Sequence, residues 1–444
     1  MRSTRKMILT ILPALMLASC GKTETLKEQE GLIDTVLGEV PFEDGTEAPR
    51  EFEIPEFSVP DDVPRLRTDP AGYEPDADKK LLCVAEGITE CSILNVTTME
   101  KAGVVILREK ETGLYQGEFT EIREAGDYIA YNEETGFSYP FRIGDDIYDG
   151  WVPAYLRALH GAEEVGAEDM AAITLSLLQA FEYDPSLFDD TSISVYSADG
   201  VPDVLEELYG RMSILSETED GVFAVSAFAR LGAVLRSFKP DEADYCLFRA
   251  EEAYARIDRS SCSDTGWYMM NATLFRTTGK SEYDDEVRLL FDAGDPGKKA
   301  AGTDGKEELF WGDYAYLTTK RLASQSICNT IMSRILAEAR ETVSAAKQGS
   351  WLVTTASSDG SSNDLLLQQA QQLTYINGVI TNREYRMVIQ ECVHYLRGRN
   401  PSGKSYVGES GVYCKGGRNE LYYGAILTAV LSRIDLEYEQ IAAN

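Results

Sequence analysis

From Gly150 to Asn444 apolar residues return every three to four positions, which is the period of a helix and not of a strand. Turn-forming Gly, Pro, Asp and Asn interrupt the pattern at short intervals, so the segment predicts many antiparallel helices joined by short loops. Twelve helices of about twelve residues, plus connections, fill this length. Several starts and stops are legible. Asp199–Glu207 (DGVPDVLEE) puts Pro202 near a first turn, where its missing N–H is no loss. Ser226–Ile257 reads as a helical hairpin turning at Lys239-Pro240-Asp241, with alanines that permit close packing. Phe310-Trp311-Gly312-Asp313 opens a further helix. Arg399-Asn400-Pro401 stops one, because proline cannot donate to the ladder and restricts the residue before it. Asn419-Glu420 opens the last, where the helix dipole favours a carboxylate.

Ahead of this segment the period changes. Residues 63–144 hold short β-like runs with turn signals between them: Leu81–Val84, Ser92–Thr97, Val104–Arg108, Leu114–Phe119, Tyr128–Tyr131 and Phe137–Ile143. About seven short strands in some eighty residues suggest an immunoglobulin-like sandwich. Residues 20–62 are acidic and proline-bearing, with too little apolar surface to fold alone, and read as a linker. Residues 1–19 read as a signal peptide: Arg2, Arg5 and Lys6 form a basic start, Met7–Met16 an apolar run, and Leu17-Ala18-Ser19-Cys20 closes it. That tetrapeptide looks like a bacterial lipobox. It implies lipidation at Cys20 and a place in the cell envelope, anchored to a membrane and facing the periplasm or the cell surface.

Charge and residue usage exclude several functions. The net charge of −32, or −35 once the three basic leader residues are removed, repels nucleic acid and anionic polymers and leaves neutral ligands open. Two histidines, His160 and His394, cannot support chemistry that needs several. The cysteines after Cys20 form no CxxC pair, so zinc and redox motifs are unsupported. Cys83 and Cys91 can be read as a bridge between neighbouring strands or as buried free thiols. The glycines near 360 and 408–417 are turn formers, since no Lys-Ser/Thr follows them.

Several of these pieces, taken together, resemble glycoside hydrolase family 9. YLRGRNPSGKSYV (Tyr395–Val407) followed by the Asn419-Glu420 pair is similar to the end of that family's catalytic domain. DGVPDVLEE, Ser226–Ile257, Trp311-Gly312 and Ser361–Asp364 before LLLQQAQQL are similar to further stretches of it. GYEPDADKK (Gly72–Lys80), EAGDYIAY and YPFRIGDDIYD (Tyr139–Asp149) resemble the Ig-like domain that precedes many such modules. The resemblance implies an Ig-like β-sandwich over 63–144 and an (α/α)6 barrel over 145–444. It also implies inverting hydrolysis of a β-1,4-glucan or a related neutral polysaccharide or oligosaccharide, the activity of an endoglucanase or cellulase.

Inverting hydrolysis uses two carboxyls, one protonating the leaving oxygen and one activating water, roughly 6.5–9.5 Å apart. By the resemblance Glu420 is the general acid; as a bare residue it is also a glutamate that complements a helix start. The family's base lies in an Asp-Ala-Gly-Asp motif after the first helix. Here Leu156-Arg157-Ala158-Leu159 runs directly into HGAEEVG (His160–Gly166), so Gly161 replaces the first Asp and Glu164 the second. Glu164 is therefore the base candidate, although its extra methylene shifts the carboxylate by roughly an ångström or more. Glu163, Glu164, Glu168 and Asp169 also fit a solvated acidic helix start. Lys415 and Gly416 stand where the family has Asp and Tyr. Trp311, Tyr406, Tyr413 and Tyr422 are candidate sugar platforms, with core packing as the alternative. No cofactor is expected; FDAGDPGKK (Phe291–Lys299) admits a structural calcium. A glycan-binding surface lipoprotein without activity, and a scaffold for an outer-membrane partner, are the alternatives to an enzyme.

Overall fold

The computed structural model describes residues 56–57, 60, 62–193, 195–196, 198–215, 221–299 and 305–434. Residues 1–19, read above as a signal peptide, Cys20, and all but a few of the residues read as a linker lie outside these.

Residues 66–143 form two antiparallel sheets. The strands are β1 (Leu66–Arg67), β2 (Lys80–Cys83), β3 (Glu90–Asn95), β4 (Lys101–Ile106), β5 (Arg108–Glu111), β6 (Leu114–Glu118), β7 (Gly126–Asn132), β8 (Gly136–Phe137) and β9 (Phe141–Ile143). One sheet runs β1-β2-β6-β5; the other runs β4-β3-β7-β8, with β9 also on β7. Leu66, Leu81 and Cys83 of the first sheet share a core with Ile93, Val105, Ala130 and Phe141 of the second. Cys83 and Cys91 are buried free thiols.

Between β4 and β5 the chain changes sheets through the single residue Leu107, and this crossing requires a glycine opposite it. A Cβ on Gly117 of β6 would lie 2.3 Å from Val105 Cγ1 and 2.9 Å from Leu107 Cδ2. Gly117→Val is expected to cost about 1–3 kcal/mol by overpacking, read as a lower midpoint in urea unfolding.

The helices are α1 (Trp151–Gly161), α2 (Ala167–Tyr183), α3 (Asp203–Ser213), α4 (Val222–Leu235), α5 (Pro240–Arg256), α6 (Asp264–Thr278), α7 (Ser281–Asp292), α8 (Pro296–Lys299), α9 (Lys306–Leu317), α10 (Gln325–Gln348), α11 (Asn363–Val379), α12 (Arg383–Leu396) and α13 (Glu420–Leu431). A two-stranded hairpin, β10 (Val407–Gly408) with β11 (Gly411–Val412), precedes α13.

Burial and packing sort the helices into two rings, outer helix α12 being buried from Val388 to Leu396 because the β-rich region covers it. In α2 every residue from Met170 to Phe181 is buried, and in α13 every residue from Leu421 to Leu431. A helix apolar all round belongs inside. By contrast α10 buries a single stripe, Ile327, Ile331, Ile335, Ala339, Val343 and Ala346, and α5 buries Ala243, Cys246, Arg249, Ala250 and Ala253. The inner ring runs α2, α4, α6, α9, α11, α13 and back to α2, with α10 packed on both α9 and α11. Outer helices alternate with inner ones along the chain, giving an (α/α)6 barrel whose inner helices all point the same way.

The β-rich region docks on α12 and the turn after it through buried charges. Lys80 Nζ donates to Glu391 Oε1 at 2.8 Å, and Arg399, fully buried, donates to Glu391 Oε2. His394 Nδ1 lies 2.7 Å from Asp69 Oδ2, and its ring packs on Tyr73. Asn400 Nδ2 donates to the Tyr395 and Lys404 carbonyls and so shapes the turn. Gly72 (φ +110°) passes within 2.3 Å, at a would-be Cβ, of the Arg142 carbonyl oxygen, so only glycine fits there. The GYEPDADKK and GRNP pieces thus meet each other across this junction.

Candidate active site at the mouth of the barrel

The N-terminal ends of the inner helices gather at one end of the barrel. Arg418, just ahead of α13, shows this most directly. Its guanidinium pairs with Glu168 and, at 3.4 Å, with Asp169, both in the first turn of α2. It also reaches Glu307 Oε2 of α9 at 3.1 Å. Its Cζ lies 4.7 Å from the Tyr422 ring centroid and 5.8 Å from that of Phe223 at the start of α4. Because α2 and α9 lie opposite one another in the ring, Arg418 spans the mouth.

One cation serves three carboxylates here, and burial decides the result. Glu307 is pushed up to about 7 because desolvation outweighs Arg418 and the Tyr422 hydroxyl that donates to it. Burial likewise raises Asp169, against Arg418 and the Asn419 N–H that donates to its carboxylate. Asp169 is therefore held beside the residue preceding Glu420.

Glu420 is the first residue of α13. Asn419 caps the helix, its Oδ1 accepting from the Leu421 N–H at 2.9 Å, so the Glu420 side chain is free to stand clear of the helix end. It is exposed, and Oε2 accepts from Ser410 Oγ at 3.2 Å. Ser410 lies in the turn of the β10–β11 hairpin, which fits close against the helix start: a Cβ on Gly411 (φ +141°) would sit 1.9 Å from the Glu420 carbonyl oxygen.

Glu164 lies in the loop between α1 and α2, exposed, and among the described residues nothing pairs with it. The loop is anchored at its start. Arg211 of α3 donates to the Leu159, His160 and Ala162 carbonyls, while Glu207 takes His160 Nδ1 at 2.7 Å, the Arg211 guanidinium and the Tyr196 hydroxyl. DGVPDVLEE therefore supplies the clamp on this loop.

The four aromatic candidates fall in two places. Trp311 and Tyr422 are each 3% exposed: α9 and α13 are inner helices, and Arg230 covers Trp311 at 5.2 Å while Arg418 covers Tyr422. Neither offers a free ring face at the mouth. Tyr413 is 45% exposed and Tyr406 half-buried, their rings 6.4 Å apart and 25° from parallel beside the hairpin. Lys415 pairs with Asp359 at 2.6 Å. Asp295 in FDAGDPGKK faces Arg334 Nε at 3.4 Å, and no group of three or more His, Cys, Asp or Glu that could hold a metal occurs among the described residues. Arg418, Asp169 and Glu307 are the residues that sequence reasoning left out of the site. The one signal was the arginine directly before the Asn-Glu pair.

The family model for glycosyl hydrolase family 9 matches residues 215–415, a span that contains neither Glu164 nor Glu420. Among solved structures, the chain is similar to a metagenome-derived glycoside hydrolase family 9 endoglucanase, at 17% identity over 83% of this chain and 98% of that one, with a TM-score of 0.71. It is similar to a single mutant of a thermostable endoglucanase from Alicyclobacillus acidocaldarius, at 16% identity over 83% and 99%, TM-score 0.70. It is also similar to AaCel9A in complex with cellobiose-like isofagomine, at 16% identity over 84% and 99%, TM-score 0.69. At these identities the likeness is one of fold, covering the β-rich region and the helical barrel. No curated protein matches the chain by sequence.

Proposed function

We propose that this chain is a glycoside hydrolase of the family 9 type, acting with inversion on a neutral β-1,4-linked glucan or a related polysaccharide. The observation that carries the reading is Glu420: an exposed carboxylate at the start of the last inner helix, steadied by Ser410 on the barrel mouth. In this reading Glu420 protonates the leaving oxygen. Glu164 activates the water, because Glu168, Asp169 and Glu307 are engaged by Arg418 while Glu164 carries no pair among the described residues. Tyr413, with Tyr406 behind it, supplies a flat face for a pyranose ring. The same reading takes the two-sheet region as an Ig-like sandwich and places the protein in the cell envelope through lipidated Cys20.

Glu164→Gln is expected to lower kcat on β-glucan by about 10²–10⁴-fold with KM little changed. If Asp169→Asn gives that loss and Glu164→Gln does not, the base is Asp169. The second reading, glycan binding without hydrolysis, is favoured by Arg418 itself, which places a cation among the carboxylates at the mouth. Retention of the chain in a glucan-containing native gel, with no reducing ends released, would select it.

A further inference from the structure

Toward their N-terminal ends α9 and α11 part, below which Tyr375 packs against Tyr314 with ring centroids 5.1 Å apart. Outer helix α10 closes the gap, leaving a cavity of about 400 Å³ in the barrel wall. This is within the roughly 300–1,000 Å³ typical of small-ligand sites.

The lining has a definite chemistry. On α11 three half-buried glutamines line it, and each uses one end of its amide locally. Gln368 Nε2 donates to Asp364 at 2.7 Å, Gln369 Oε1 accepts from Thr354 Oγ1 at 2.6 Å, and Gln372 Nε2 donates to Glu338 of α10 at 2.6 Å. That leaves the Gln368 and Gln372 carbonyl oxygens as acceptors and the Gln369 NH₂ as a donor, an alternation that suits hydroxyl groups, which both give and take. Phe310 of α9 adds a flat apolar surface. The lining's Arg334 is already spent, bidentate on Asp313 at 2.8 and 3.0 Å. Glu338 and Glu341, with Glu307 in its ionised fraction, outweigh Lys306 on the remaining walls and leave a negative bias that disfavours anions.

We propose that this cavity binds a short neutral saccharide of one or two pyranose rings. The site adjoins the barrel mouth through Glu307 and Tyr422, which line it and also meet Arg418. It is a binding site in the wall, and its occupancy does not depend on whether the mouth hydrolyses anything.

The test is calorimetric titration of the full chain with cellobiose, in the Glu420→Gln background so that the ligand is not consumed. Binding at millimolar ligand or tighter is expected. It should weaken at least tenfold in Gln368→Ala/Gln372→Ala and be lost in Thr342→Trp, which fills the cavity from α10; an unchanged thermal midpoint in both would show that the fold is kept. The corresponding uronic acid disaccharide should not bind. No heat with cellobiose would overturn the proposal, as would affinity that both wall variants leave unchanged. A chain that binds here but releases no reducing ends would refute the hydrolase reading and leave this one standing.

Discussion

Glu391→Ala is expected to destabilise the protein by about 3–5 kcal/mol. Glu391 is buried between Lys80, reaching over from β2, and Arg399, from the turn after α12. Removing it leaves two cations facing each other out of water with no anion. The direction of its pKa agrees: burial alone would raise it, yet Arg399 and Lys80 hold the carboxyl below its ordinary value. Replacing all three by apolar residues of similar volume should recover most of the loss, because what is costly is the unpaired charge and not the absence of the pair. Urea unfolding of the single and triple variants checks this; a loss under about 1 kcal/mol for Glu391→Ala would mean that the cluster is solvated like a surface pair.

His394, in the same junction, adds a pH dependence. Burial lowers its pKa, so below about 6.5 the unfolded chain takes up a proton that the folded one resists. The contribution is fully present above the unfolded value and is lost as pH falls through it, by at most about 1.4 kcal/mol per pH unit. The wild type should therefore lose stability relative to His394→Phe between pH 6.5 and 5, a difference that equilibrium unfolding at matched pH measures.

Glu420→Gln is expected to reduce kcat on a β-glucan by about 10²–10⁴-fold while KM stays within a few-fold. Glutamine keeps the shape and can still bond Ser410, but it cannot give up a proton. The helix start should survive, since its cap is Asn419, and the lost charge–dipole term is about 0.3–1 kcal/mol. A uniform fall in thermal midpoint together with activity would mean that Glu420 is only a helix-start residue.

Much of the architecture could be read from spacing. Period and turn signals give many antiparallel helices, whereas the barrel was implied by the resemblance. Spacing does not separate the rings, since inner helix α11 carries Gln368, Gln369, Gln371 and Gln372 and outer helix α12 is buried from Val388 to Leu396. The sequence pattern missed β1, two residues long, and most of β5, whose sequence REKE is charged throughout and lies at a sheet edge with no alternation to see, and it ran β8 and β9 together as one strand over Phe137–Ile143. The motif pieces were legible as pieces, but their roles were not. GYEPDADKK and GRNP are docking surfaces, and DGVPDVLEE clamps a loop through Glu207 and Arg211. Arg418 was out of reach because its partners come from across the ring: Glu168 lies 250 positions earlier in the chain. Trp311 carried no sign of its burial, since a tryptophan near a helix start has the same local pattern whether it faces a cleft or a buried arginine.

Reducing-end release by the wild-type chain from a panel of neutral β-glucans, with the first-formed anomer followed by NMR, tests the hydrolase mechanism most directly. Release from a β-1,4-linked glucan, an initial α-anomeric product, and loss of both in Glu420→Gln are predicted. Absence of release from every glucan, or release that Glu420→Gln leaves intact, would contradict a family 9 mechanism at this mouth.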